Sequence, residues 1–345
     1  MESIEMRIII DAMGGDNAPS EIVKGAIRAR AEQKVDLTLV GDRRQIYSAA
    51  AHEDLSLSGI DIIHTETVVL PDDNPISVLK NKSDASMCIG LKMLLPDNEY
   101  GVVGDAFLSA GSTGALHACS TLIVHKLPGV RRSGIATILP FSHPLFLMDA
   151  GANPKITEEY LVQWAIMGSI YMKKIFGIEN PRVGLLNNGT EEGKGTDILV
   201  AAHRLLRASN LNFVGNIESR EIPFNPCDVL VCDGFTGNIA LKLIEGMGRF
   251  MLDTMRNIYS ANARSGISFL LIKREFEKFK KNFDASEHGG APLLGLSRPV
   301  IKAHGNSDAK AIASAIRQAV SCVQTGITDA ISEGLADYAR EVSKS

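Results

Sequence analysis

Long apolar runs are missing from this 345-residue chain. The first, Ile8-Ile9-Ile10, stops at Asp11, well short of a secretory core. None is long enough to span a bilayer, so the expectation is a cytosolic protein that touches membrane at most by its surface. An excess of basic charge is missing too. The formal net charge is −4, so no global field draws nucleic acid, and an acidic partner must meet a local basic patch. Cysteines are few: Cys88, Cys119, Cys227, Cys232 and Cys322. An odd count in a long chain argues against a disulfide framework and for scattered buried thiols. The eight histidines form neither H-E-x-x-H nor a carboxylate–histidine cluster, so neither a metal site nor a cofactor is expected.

What is present is the material of one large α/β domain. Hydrophobic residues at 45% and charged residues at 22% argue against disorder. Short β-branched runs alternate with amphipathic stretches. Ile8–Ile10, Leu37–Val40, Gly101–Val103, Ala136–Leu139, Val183–Leu186 and Val229–Val231 have strand character. Runs bounded by Gly and Asp and separated by helices predict parallel βαβ units. Ligands bind such sheets at the strand ends. No repeat and no long linker interrupts the chain. One domain over 6–340, with two joined lobes, is expected.

From about 248 to 283 the pattern changes to long helices. Phe269, Ile272, Phe276, Phe279 and Phe283 recur at helical steps, with Lys273, Arg274, Lys278, Lys280 and Lys281 on other faces. Ser265-Gly266 breaks the pattern. This protrusion suits packing on the body, a dimer interface or a membrane surface.

Four loops carry candidate chemistry. Asp11-Ala12-Met13-Gly14-Gly15-Asp16 allows a tight turn but is not G-x-G-x-x-G, so a dinucleotide site is poorly supported. Ser109-Ala110-Gly111-Ser112-Thr113-Gly114 joins a strand to a helix and offers amides and hydroxyls to an anion, or is a plain turn. Gly189 to Lys194 lacks P-loop spacing, and Gly195 stands where Ser or Thr should follow the lysine. Lys194 between two glycines can still approach a single anion; the alternative is a solvated lysine. Asn238, after Asp233-Gly234-Phe235-Thr236-Gly237, is an oxyanion donor or an N-cap. His304 is a possible proton donor.

The ordered set of these loops resembles the phosphate acyltransferases that begin bacterial membrane phospholipid synthesis. The matching segments are Asp11–Asp16, Ser109–Gly111, Asp149-Ala150-Gly151-Ala152-Asn153-Pro154, Glu191–Gly195, Phe213–Glu218, Cys232–Asn238 and Gly289–Gly295, over nearly the whole chain. The family usually carries Asn where Ser112 stands. The resemblance implies a three-layer αβα fold like that of isopropylmalate dehydrogenase and phosphotransacetylase, with two lobes, a cleft and a homodimer. It implies acyl carrier protein as acyl donor, inorganic phosphate as acceptor and acyl phosphate as a product for phosphatidic acid synthesis. The consumer would be a glycerol-3-phosphate acyltransferase at the membrane. Rival readings are a phosphotransacetylase using acyl-coenzyme A, a dehydrogenase, and a non-catalytic membrane scaffold for lipid enzymes.

On this reading Lys194 neutralises phosphate or oxyanion, and Asn238 donates to either. Phosphate and acyl contacts are expected from Asp11, Gly14, Gly15, Ser109, Gly111, Ser112, Thr113, Gly114, Gly151, Asn153, Gly193, Asp233, Thr236 and His304. Arg249, Arg256, Arg264, Lys273, Arg274 and Lys278 form the expected docking patch for the acidic carrier.

Overall fold

The computed structural model describes residues 6–141, 143–261, 263–282 and 289–343. β1 (Arg7–Asp11) leads to α1 (Ser20–Glu32), β2 (Asp36–Gly41), α2 (Arg43–His52) and β3 (Ile60–His64). Short helices α3 (Val78–Asn81) and α4 (Ser86–Lys92) precede β4 (Ala106–Ser109) and α5 (Thr113–Ile123). β5 (Gly134–Leu139), β6 (Leu145–Met148) and α6 (Glu158–Phe176) follow, then β7 (Arg182–Asn187), α7 (Asp197–Ala208), β8 (Asn212–Glu218) and β9 (Val229–Val231). Two long helices come next, α8 (Gly234–Ser260) and α9 (Ala263–Asn282). The chain returns through β10 (Ala291–Leu294) and β11 (Val300–Lys302) to α10 (Ala309–Gln324) and α11 (Ile327–Val342).

Among the described residues the strands form one 11-stranded sheet, ordered β3-β2-β1-β4-β11-β10-β5-β6-β9-β7-β8. The sheet is mixed, not parallel throughout as the sequence pattern predicts. β10 runs antiparallel to β11 and β5, and β5 to β6. β6 and β10 have four residues each, too short for a periodic signal. Their pairing reverses the sheet, so β1, β4 and β11 run opposite to β6, β9 and β7. The reversal divides the sheet into two halves, which meet at β10 and β5. Helix α10 packs on α1 and α11 on α6, so the end of the chain covers both halves.

Strand alternation builds the layers. Ile8 and Ile10 face one apolar cluster and Ile9 the other. Both faces are buried under helices, which gives the three-layer αβα sandwich. All five cysteines are buried, and the Cys88 and Cys119 sulfurs lie 3.9 Å apart.

Three other expectations are corrected. Gly101–Val103 is a loop; Val103 is half-exposed, and the strand begins only at Ala106, where both faces are covered. Ser265-Gly266 lies inside α9, since one glycine costs a helix only about 1 kcal/mol. The helical pair begins at Gly234, not near 248, so its stem belongs to the body. Phe269 and Phe276 pack with Tyr259 of α8, with ring centroids 5.1–6.3 Å apart. Phe283 lies outside the described residues.

Candidate functional site

A cleft of about 1440 Å³ opens where the sheet reverses. Loops after β1, β4 and β11 line one wall, and the loop after β6 and the helix α8 line the other. Strand ends at such a reversal leave backbone groups facing a crevice.

Two buried carboxylates hold the loops together. Asp11 accepts from the hydroxyls of Ser86 at 2.6 Å and Ser109 at 2.7 Å. Burial raises its pKa, against these hydrogen bonds. Asp11 and Ser109 thus tie three loops from behind and are not among the residues that line the cleft. Gly14 permits this junction: a Cβ there would lie 2.5 Å from an Asp11 oxygen and 2.8 Å from the Gly111 nitrogen. Gly15 lines the cleft beside it.

Asp149 does the same for the opposite wall. Its carboxylate accepts from the backbone amides of Ile135, Gly151, Ala152 and Asn153, at 2.7–3.1 Å. The Asn153 side chain donates to it at 2.8 Å and to the Ser133 carbonyl at 2.9 Å. The phosphate contacts expected of Gly151 and Asn153 are corrected by this network. Those amides are spent on Asp149, and Asn153 is buried behind the wall. Gly151 contributes only its surface.

Helix α8 crosses the cleft. Its N-cap is Asp233, which accepts from the Thr236 amide at 2.9 Å and hydroxyl at 2.6 Å. Asp233 and Thr236 therefore serve the helix. The alternative reading of Asn238 as N-cap falls away, and its side chain lies against Gly151 on the cleft wall. One turn on, Lys242 donates to Glu245 at 2.8 Å and lies 3.3 Å from His304 Nε2. On the facing wall Ser112 precedes α5 and makes no side-chain cap hydrogen bond. Gly111, Ser112 and Thr113 line the cleft there. Gly114 turns away, beside Pro75.

Sequence reasoning missed Lys302. It closes β11, is 8% exposed and lines the cleft. Its ammonium donates to the Ala110 carbonyl at 3.0 Å and to the Ala303 carbonyl. Burial pulls its pKa down to about 8.

Lys194 is not among the cleft-lining residues. It follows β7, on the far side of β9, is half-exposed and meets Glu191 at 3.7 Å. Gly193 stands in open space.

The cleft continues between α8 and α9. Leu241, Leu252, Tyr259, Phe269 and Phe276 line this apolar arm, with Leu70 and Ile138 opposite. Arg249, Arg256 and Lys280 stand along it, with Asp253 and Glu277 among them. Lys273 and Arg274 are exposed on α9. The side chains of Arg264 and Lys278 lie outside the described residues. Among the described residues no His, Cys, Asp and Glu side chains gather as a metal site, and no helix is long and apolar enough to cross a membrane.

The three-layer sandwich is a fold that solved phosphotransacylases share. A phosphotransacetylase from Streptococcus pyogenes superposes with a TM-score of 0.61 at 17% identity, over 93% of this chain and 94% of that one. A branched-chain phosphotransacylase from Enterococcus faecalis V583 gives 0.58 at 14%, over 92% and 99%. Residues 6–330 match the family of fatty acid synthesis proteins. A phosphate acyltransferase of Thermoanaerobacter pseudethanolicus is 40% identical over 340 residues, 98% of this chain and 100% of the relative. One from Caldanaerobacter subterraneus subsp. tengcongensis is 42% identical over the same shares. The chain belongs to this family and is an enzyme of the phosphate acyltransferase kind.

Proposed function

We propose that the enzyme moves a fatty acyl group from acyl carrier protein to inorganic phosphate and releases acyl phosphate. The carrying observation is the two-ended cleft. One end gathers Asn238, Lys242, Lys302, His304, Ser112 and Thr113; the other is the apolar arm between α8 and α9. At about 1440 Å³ it exceeds the roughly 300–1,000 Å³ of common small-ligand sites, which suits a long acyl chain beside an anion.

A phosphate oxygen bonds to the thioester carbonyl carbon, the C–S bond breaks, and the carrier sulfur leaves as thiol with the proton of hydrogen phosphate. Phosphate is already a nucleophile, so no covalent enzyme intermediate is needed. Holding both reactants together contributes up to roughly 7–11 kcal/mol in an ideal case. The Asn238 amide donates to the developing oxyanion. The first-turn amides of α5 and the Ser112 hydroxyl receive phosphate oxygens. Lys194 remains a proposed second cation, acting from outside its own chain's cleft.

Arg249 and Arg256 are the nearest docking residues for the acidic carrier, with Lys273 and Arg274 beyond them. The exposed stripe of Phe235, Ile239, Leu243, Met247 and Phe250 on α8 supports a homodimer, since a monomer leaves it bare. Leu271, 82% exposed on α9, supports contact with a membrane surface, where the acyl phosphate would feed phosphatidic acid synthesis by a glycerol-3-phosphate acyltransferase.

Phosphate-dependent thiol release from acyl carrier protein tests the reading. Release from the carrier thioester is expected to exceed release from acyl-coenzyme A. The fold likeness to a phosphotransacetylase favours coenzyme A as second reading; preference for that donor would install it.

A further inference from the structure

Lys302 stands where a lysine is costly. Val300 and Ile301 before it are fully buried, and Ala303 after it is 2% exposed. Its strand lies in mid-sheet between β4 and β10. The ammonium has two carbonyl partners, Ala110 and Ala303, both neutral. Asp11 from β1 and Asp16 from the loop before α1 act on it through their fields, and Lys242 on α8 opposes them. His304, in the loop after β11, faces Lys242. Among the described residues no carboxylate bonds to the ammonium, so a charge taken out of water is offset only by fields from a distance and remains poorly compensated. An anion in the cleft would compensate it. A clip between two loops needs no charge, so a purely structural role leaves the ammonium unexplained.

We propose that Lys302 is the substrate-binding cation that holds phosphate in the cleft, beside Ser112 and Thr113. The proposal rests on phosphate being the acyl acceptor. It assigns to a strand-end lysine the charge that the sequence places on Lys194.

The pKa of about 8 adds a signature. The protonated amine binds the anion, so binding is full below that value and fades above it. Bound phosphate holds the proton on, so the decline belongs to the free enzyme and to kcat/KM for phosphate. Arginine stays charged throughout.

The experiment uses full-length protein, acyl carrier protein thioester and inorganic phosphate. Lys302→Met is expected to raise the KM for phosphate at pH 7 at least about a hundredfold, as loss of a buried charged partner does. Lys302→Arg is expected to keep that KM within about tenfold and to lose the decline above pH 8 that wild type shows. A folded Lys302→Met variant with an unchanged KM overturns the proposal. So does an alkaline decline that persists in Lys302→Arg. If Lys302→Met fails to fold, the Lys302→Arg profile decides alone. If wild type shows no phosphate-dependent thiol release, the transfer reading fails, and calorimetric titration of inorganic phosphate still scores Lys302. Binding by wild type that Lys302→Met abolishes, or Lys302→Arg frees from pH, supports it; equal binding, or none by wild type, overturns it.

Discussion

Lys302 closes one strand and Lys194 lies in the loop after another of the same sheet, and four strands, β10, β5, β6 and β9, lie between the two. Lys302 is 8% exposed, faces the cleft and is held by two carbonyls. Lys194 has a side chain 51% exposed, in a glycine-flanked loop, and meets the exposed Glu191 at 3.7 Å. The two places give one positive charge different powers. At about 4 Å a unit pair interacts by roughly 1 kcal/mol in water and roughly 4 kcal/mol near a protein surface of lower effective dielectric. A buried cation therefore acts more strongly on an anion, and pays in desolvation when no anion is there. A loop cation is cheap to keep and weak until something covers it.

The sharpest way to test the cleft side is Asn238→Ala. Losing one oxyanion donor lowers turnover by about a hundred- to a thousandfold. The melting temperature is expected to stay put, because Asp233 and not Asn238 caps α8. Turnover near wild type would take the oxyanion away from this wall and leave Lys302 without a partner across the cleft. Lys194→Ala tests the loop side. The expected loss is about a hundredfold, the lower end for a single donor to developing charge, with an unchanged melt. A loss that deep breaks the simple ranking by burial, since it requires a cation outside its own chain's cleft to be covered during the reaction. Turnover within about threefold of wild type would confine the chemistry to the cleft wall and remove Lys194 from the site.

These two residues also mark what could be read in advance. The α/β class and the strand-end loops were legible, because glycine at strand ends announces turns; Asn238 stood between oxyanion donor and N-cap, and the cap is Asp233. Lys302 was not legible. It sits in Arg298-Pro299-Val300-Ile301-Lys302-Ala303, and a three-residue strand with one charge carries no period that separates a cleft from a solvated end. The only available signal was that single charge within an apolar run. Gly193-Lys194-Gly195 drew attention for the opposite reason: glycines advertise exposure, and exposure is not proximity to the cleft. The spent amides of Gly151–Asn153 were hidden as well. The Asp-Ala-Gly-Ala-Asn spelling fits an anion site and an internally satisfied carboxylate equally, and only the five hydrogen bonds to Asp149 tell them apart.

Two glycines extend the contrast to stability, with the smallest effects. A Cβ on Gly237 would lie 1.9 Å from the Asp149 carbonyl oxygen, so the first turn of α8 must move off the cleft wall to admit it. Gly237→Ala is expected to cost about 1–3 kcal/mol, the usual penalty of overpacking, measured by denaturant unfolding. It should lower turnover too, because Asn238 moves with the helix. A Cβ on Gly193 would meet nothing within 4 Å. Gly193→Ala should change stability by less than about 0.5 kcal/mol, as surface substitutions do. If Gly193→Ala unfolded the protein as readily as Gly237→Ala, the loop around Lys194 would be packed against something, and the weakness assigned to its cation would have no basis.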